Sequence, residues 1–345
     1  MTEPQTSKRE RLGTARSRMA DVARLAGVST ATVSRAIRQP EIVSVEVRGR
    51  IQQAIERLSY RRNLMAGALA SAHSMTIGVI IPSIINSFFA ATVEALEEEL
   101  AGSGYQLMLG NSNYSADIEQ QLITSFLAWS PAAMIVTGRR HNREAVRTLL
   151  DSGVPVIEMW EVSDHPIDTI VGFSHREVAQ IAVGHFAERG ARRLGFIGAY
   201  MERDYRTADR HAGFVEAALQ AGYAPPAEIR LPDRASAVGG ARALSEMMDR
   251  HPDVDAIFCS NDIIALGALF EAQRRALRVP EQLKLCGFGD LEFAAASNPS
   301  LTTVRPPRRE IGVKVAQLLR ARLSGAPDAG GSFDLGVELV VRGST

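Results

Sequence analysis

From Thr76 onward the sequence alternates short apolar runs with longer amphipathic stretches, and nothing else in it restricts the fold as strongly. The runs fall at 77–81, 106–109, 133–136, 155–159, 169–171, 194–197, 256–259, 284–288 and 337–341. Between them, residues 89–101, 118–129, 176–189, 263–275 and 308–323 carry apolar positions at helical spacing. A strand that is apolar throughout is buried on both faces, which a sheet achieves when crossover helices cover it. The alternation therefore predicts doubly wound parallel sheets, with any ligand held at the carboxyl ends of the strands. Nine strands over about 265 residues suit two such subdomains better than one sheet.

The first 75 residues follow a different pattern. Thirteen Lys/Arg stand against six Asp/Glu within residues 1–70, while the remainder holds 26 basic and 33 acidic residues. The net charge of zero thus conceals a basic head on an acidic body, the layout expected where one end meets phosphates. Residues 1–17 read as a disordered basic tail and 18–62 as a helical headpiece. The alanine-rich stretch 63–75 reads as a hinge helix or linker, too short to be a stable helix alone. The body, 76–345, is expected to divide into one subdomain near 76–171 and 304–333 and a second near 172–303 and 334–345.

Within the headpiece, the run from Asp21 to Arg35 reads DVARLAGVSTATVSR. Met19–Ala26 forms a first short helix, and Gly27 permits the left-handed backbone of a tight turn. Ser29 suits the N-cap of a second helix reaching about Arg38. Ala23, Val28 and Val33 can pack the two helices together, leaving Thr30, Ala31, Ser34 and Arg35 outward. That is a helix-turn-helix whose second helix fits a DNA major groove; the bland alternative is an αα-hairpin with a polar face.

No apolar run approaches the ~20 residues of a membrane span, and MTEPQTSKRERLGTARSR lacks the apolar stretch of a secretory signal. A cytoplasmic location is the expectation. Cys259 and Cys286 make no metal or redox spacing and suit small core fillers. The histidines are scattered, with His175 and His185 ten residues apart and no cysteine nearby, so hydrogen-bonded or surface roles are expected for all of them. No Gly-rich phosphate loop ending in Lys-Ser/Thr and no G-x-S-x-G occurs. Gly195-Phe196-Ile197-Gly198 is too short for a dinucleotide fingerprint. Nothing points to turnover, a cofactor or a metal.

The run from Asp21 to Arg35 resembles the signature of the lactose-repressor family, D-V-A-x-x-A-G-V-S-x-x-T-V-S-R, and the likeness extends over nearly the whole chain. Val43-Ser44 with Arg48, and Leu58-Ser59-Tyr60 with Asn63, match that family's third helix and hinge. PEIVSVEVRGRI, Ile80-Ile81-Pro82-Ser83 and Phe258-Cys259-Ser260-Asn261-Asp262 look most like its gluconate-operon repressors. The resemblance implies a periplasmic-binding-protein-like core, a palindromic operator and a two-fold dimer. It also implies a DNA face. Thr30, Ala31 and Arg35 occupy base-reading positions, and arginine can grip guanine through two bonds. Ala31 departs from the polar readers elsewhere in the family and offers only an apolar contact. Ser29, Thr32, Ser34, Ser44 and Asn63 match phosphate contacts, and Met19 joins the DNA-facing set. Leu69 matches a leucine that wedges into the minor groove, the alternative being a core residue.

For the core, the resemblance implies a small-molecule effector between the subdomains. Phe89 would stack on it, unless it is only a helix-packing aromatic. Arg210, four residues before Phe214, matches the family's effector arginine, against the alternative of a surface ion pair. In the pair Asn261-Asp262, Asp262 is expected to cap the next helix and Asn261 to face ligand. Phe173 and Arg206 align with pocket positions; Arg308 and Arg139 are further candidates. Where relatives carry pocket carboxylates, this chain has Gly289 and Trp160, and Pro306 replaces a glutamine. Fewer carboxylates beside Arg206 and Arg210 favour an anionic ligand such as gluconate or its phosphate. A neutral sugar or a corepressor remains the alternative, and Glu158 would count against an anion if it faced the pocket. Residues 89–101 and 269–279 match dimer-forming elements, and no leucine heptads follow Arg342, so a dimer is expected. Effector would close the subdomains and disorder the hinge; whether it releases or tightens DNA stays open, with the gluconate-type relatives suggesting release. A solute-binding protein and a carbohydrate enzyme are the remaining alternatives.

Overall fold

The computed structural model describes residues 17–60, 74–84, 87–326 and 330–345. The chain separates into two compact units, residues 1–74 and 75–345. Most of the proposed tail, and Asn63 and Leu69 in the proposed hinge, lie outside the described residues.

The first unit is all-helical: α1 (Met19–Ala26), α2 (Thr30–Arg38), a 3-10 turn (Pro40–Ile42) and α3 (Val45–Arg57). Gly27 ends α1 at φ +68°, a conformation that disfavours any residue with a Cβ. Ser29 caps α2 by accepting from the Thr32 amide at 3.1 Å, and Ser44 caps α3 through the Val47 amide. Val22, Ala23, Ala26 and Val33 close on Ile51 and Ala54. Val22 and Val33 are wholly excluded from solvent, each contributing roughly 1.5–3 kcal/mol.

The second unit holds two six-stranded sheets. The first uses β1 (Thr76–Ile81), β2 (Gln106–Asn111), β3 (Ala133–Thr137), β4 (Val156–Met159), β5 (Thr169–Gly172) and β11 (Gly331–Asp334). Their order is β11-β5-β4-β3-β1-β2 and every pair is parallel. The second uses β6 (Leu194–Ala199), β7 (Ala227–Leu231), β8 (Ala256–Cys259), β9 (Lys284–Phe288), β10 (Thr302–Arg305) and β12 (Glu338–Val340), in the order β12-β10-β9-β8-β6-β7. Helices α4 (Ser87–Leu100), α5 (Ala116–Leu127) and α6 (Arg143–Ser152) cross the first sheet. Helices α7 (His175–Glu188), α8 (Tyr205–Gln220), α9 (Ala237–Arg250), α10 (Asp262–Arg274) and the short α11 (Glu292–Ala296) belong to the second; α12 (Arg308–Leu323) returns to pack on α4.

Three strands escape the apolar pattern. β7 alternates buried Ala227, Ile229 and Leu231 with exposed Glu228 and Arg230, the signature of an edge. β10 is Thr-Thr-Val-Arg, and β11 is Gly-Ser-Phe-Asp. In β10 hydrogen bonds replace greasiness: Thr303 Oγ1 donates to Asp262 at 2.6 Å, and the Thr302 amide donates to Ser344. Because β10 pairs with β9 and β12, the return to the first subdomain falls after Arg305 rather than at 304. The last strand is also shorter than the run 337–341 and antiparallel to β10, so the second sheet is not wholly parallel. Among the described residues no helix is long and apolar enough to cross a membrane.

Candidate functional site

Helix α2 presents Thr30, Ala31 and Arg35 to solvent, with Thr32 and Ser34 half-buried beside them. Ser29 and Ser44 are exposed, but their hydroxyls already serve as caps. Met19, the first residue of α1, is half-buried against the helical core. Nothing in the headpiece geometry marks this face as a site; its interest comes from the motif.

The second unit contains a cavity of about 130 Å³ at the carboxyl ends of its strands. Phe88 and Phe89 on α4, Tyr114 after β2, Trp160 after β4 and Phe288 at the end of β9 give it an aromatic wall. Asp204, Arg206, Thr207 and Arg210, at the start of α8, bring the charge, while Arg234 and Asn261 follow β7 and β8. Its size suits a small molecule.

Arg210 is 4% exposed. Its Nη1 donates to His175 Nδ1 at 2.8 Å, and its Nη2 donates to Thr207 Oγ1 at 2.8 Å. The guanidinium carbon lies 4.4 Å from the Phe288 ring centre, and among the described residues Nε has no partner. A buried cation is ordinarily held by a carboxylate; here its hydrogen-bond partners are neutral. Burial brings its pKa down to about 10, Asp204 opposing the fall and Arg206 adding to it. Since arginine only donates, His175 Nδ1 must accept, which leaves that ring neutral. Burial, then Arg210 and Arg206, holds its pKa well below the ordinary histidine value. Arg206 is equally buried, but it has a countercharge: Nε sits 3.2 Å from Asp204 Oδ1. Its burial is outweighed by Asp204 and other negative neighbours, so its pKa is raised.

Both sides of the cleft are tied. Arg140 Nη2 donates to both Asp209 oxygens, at 2.7 and 2.9 Å, and its guanidinium covers the Tyr205 ring. Arg139 reaches Glu161 at 3.0 Å and Asp209 at 3.2 Å. The Tyr205 hydroxyl donates to Glu161 and accepts from the Arg139 amide. These bonds join the loop after β3 to α8, one subdomain to the other. Beneath that loop His141 lies between Glu119, at 2.6 Å, and Glu158, at 3.5 Å. Burial alone would lower its pKa, but the two carboxylates push it up to about 10. Opposite, Tyr114 meets Tyr200 edge-on at 5.6 Å, and Arg234 donates to Asn113.

Of the expected effector residues, Phe89, Arg206, Arg210 and Asn261 line the cavity. Phe173 does not: it is fully buried behind the wall, packed on Trp160, His175 and Phe288. Arg308 does not either; it donates to the Asp290 carbonyl at 3.0 Å from the first turn of α12. Arg139 belongs to the rim. The capping roles are also exchanged. Asn261 caps α10 by accepting from the Ile264 amide, while Asp262 is tied to Leu291 and Thr303. Burial raises the Asp262 pKa to about 6.

The loss of carboxylates is less complete than expected, because Glu161 brings one to the cleft beside Trp160; Arg139 and Tyr205 engage it. Glu158 faces away, accepting from the Ile167 amide at 2.6 Å. Gly289 has φ +130°, and a Cβ there would fall 2.0 Å from the Phe88 ring. Its glycine is therefore required by the aromatic wall. His175, expected to be merely structural, is a wall residue, and Tyr114, Tyr200, Thr207 and Arg234 carried no motif to mark them. Among the described residues no group of His, Cys, Asp and Glu could hold a metal.

Comparison with known proteins gives these two units a common context. The model of bacterial regulatory proteins of the lacI family matches residues 18–63, and that of the periplasmic binding protein-like domain matches residues 183–345. The chain is 38% identical to the HTH-type transcriptional regulator GntR of Pseudomonas aeruginosa over 333 residues, 96% of each chain. It is 34% identical to GntR of Escherichia coli, covering 94% of this chain and 97% of that one. Its structure is similar to a lacI-family regulator from Silicibacter pomeroyi (TM-score 0.89, 30% identity, 95% of this chain and 99% of that chain). It is also similar to the lac repressor dimer bound to operator and the anti-inducer ONPF (TM-score 0.83, 25% identity, 95% and 99%).

Proposed function

Since the chain belongs to the lacI family and is a DNA-binding transcriptional regulator rather than an enzyme, we propose that it is a cytoplasmic, homodimeric repressor released from its operator by a sugar acid of the gluconate type. The observation that carries the effector class is Arg210. A guanidinium buried without a carboxylate partner makes an anionic ligand the natural complement, and a bidentate arginine–carboxylate bond is strong in a dry site. The neighbouring phenylalanines suit the carbon chain of such a ligand. Similarity to the GntR regulators supports the same class. In this reading Thr30, Ala31 and Arg35 read bases, and Met19, Ser29, Thr32, Ser34 and Ser44 position the headpiece on the backbone. Asn63 and Leu69 complete the DNA face.

Calorimetry of the purified chain with gluconate, 6-phosphogluconate and glucose tests the effector class. At least one acid is expected to bind, more tightly than glucose by about tenfold or more, the worth of a charge-assisted hydrogen bond. Glucose binding as well as both acids would overturn the anionic class and leave the regulator assignment standing.

A further inference from the structure

Trp160 follows β4 with its backbone in the left-handed region, φ +75°. That conformation is strained for a bulky residue, and such strain gathers at ligand clamps. The side chain is 2% exposed and forms part of the cavity wall. Its ring packs edge-on against Phe89, with centres 4.9 Å apart, and against Phe173 at 5.9 Å. The indole Nε1 is buried, and among the described residues it has no hydrogen-bond partner.

Packing alone does not account for an indole here. A phenylalanine would meet the same rings at the same backbone strain without leaving a donor dry, and unpartnered buried donors are rare because each forfeits its bond to water. We propose that Trp160 is a specificity-determining residue whose indole N–H donates to an oxygen of the bound effector. The proposal rests on the cavity being the effector site.

An indole N–H can only donate, so it demands an acceptor: a carboxylate, carbonyl or hydroxyl oxygen. A methylene at that point leaves the donor dry, and an ammonium meets it donor to donor. Arg210 Nε and His175 Nε2, which bears the proton once Nδ1 accepts, are likewise buried with no partner among the described residues, and they make the same demand from the opposite subdomain. Together they select a ligand with oxygens on both sides, as a polyhydroxy acid has. They discriminate against deoxy and amino analogues.

Trp160→Phe keeps the aromatic packing and removes only the N–H. Its affinity for gluconate is expected to fall about tenfold, as for loss of one buried hydrogen bond. The chain has two tryptophans, and Trp129 is 55% exposed, so the native protein gives two indole N–H resonances. Saturating gluconate should move the Trp160 signal downfield and slow its exchange with water, leaving that of Trp129 in place. Unchanged affinity in Trp160→Phe, or a Trp160 resonance unmoved at saturation, overturns the proposal while the sugar-acid reading stands. Failure of both gluconate and 6-phosphogluconate to bind the native chain overturns that reading and this proposal with it. Should the variant fold poorly, the resonance in the native chain decides.

Discussion

The exposed face of α2 and the cavity wall both carry polar groups for which the described residues show no partner, yet the two read differently. Arg35 and Thr30 stand in water, where an idle donor costs nothing because solvent satisfies it. Arg210 Nε and Trp160 Nε1 are buried with no partner among the described residues, where an unmet donor costs about 1–3 kcal/mol. A structure can therefore announce a buried site through its own unmet demand. An exposed site makes no such demand and speaks only through its pattern of residues.

The largest effect that sharpens this contrast is expected at Arg210. Arg210→Met fills the space of the stem and removes the charge. Loss of one member of a buried charge pair costs roughly 2–5 kcal/mol, so sugar-acid affinity should fall thirtyfold or more by calorimetry. Operator binding should persist, giving a repressor blind to its effector. A variant within threefold of native affinity would mean that another cation, Arg206 or Arg234, meets the ligand charge.

The headpiece was the more legible region because it is local. Fifteen consecutive residues hold the turn glycine, the Ser29 cap and the inward Ala23 and Val33, so its first two helices follow from spacing, while the third rests on family likeness. The cavity is assembled from the ends of eight strands, and Tyr114, Thr207 and Arg234 become neighbours only after both sheets form. Family likeness brought Phe89, Arg206, Arg210 and Asn261 to the wall, but it could not tell Phe173, one layer behind, from a lining residue. The β-strands divide in the same way. Apolar runs such as β3 were plain, whereas β7 and β10 hide because an edge needs only half its residues buried and a hydrogen-bonded threonine can replace an aliphatic side chain.

Arg35 tests the silent face. Arg35→Ala should weaken operator binding by about 1–3 kcal/mol and relax preference at one base pair in each half-site. Binding selection against a randomised operator library reads the second effect directly. Since Arg35 is exposed, the melting temperature should stay put. Uniform weakening with an unchanged sequence profile would make Arg35 a phosphate contact.

The smallest expected effect belongs to Arg308, which family likeness places among effector residues and the geometry does not. Its guanidinium donates to the carbonyl of Asp290, and its own carbonyl accepts from Thr92 Oγ1 at 2.7 Å. The second bond uses the backbone and survives any side-chain change. Arg308→Ala therefore removes one half-buried hydrogen bond between α12 and the loop after β9, worth about 1 kcal/mol. In a unit of this size that is roughly 2–4 °C of melting temperature. Gluconate affinity should move less than twofold, since no idle buried atom of Arg308 awaits a ligand. A tenfold loss of affinity with an unmoved melting temperature would reverse the assignment: Arg308 would then reach the ligand in a closed form of the cleft, and an unmet buried donor would no longer be the criterion that separates wall from support.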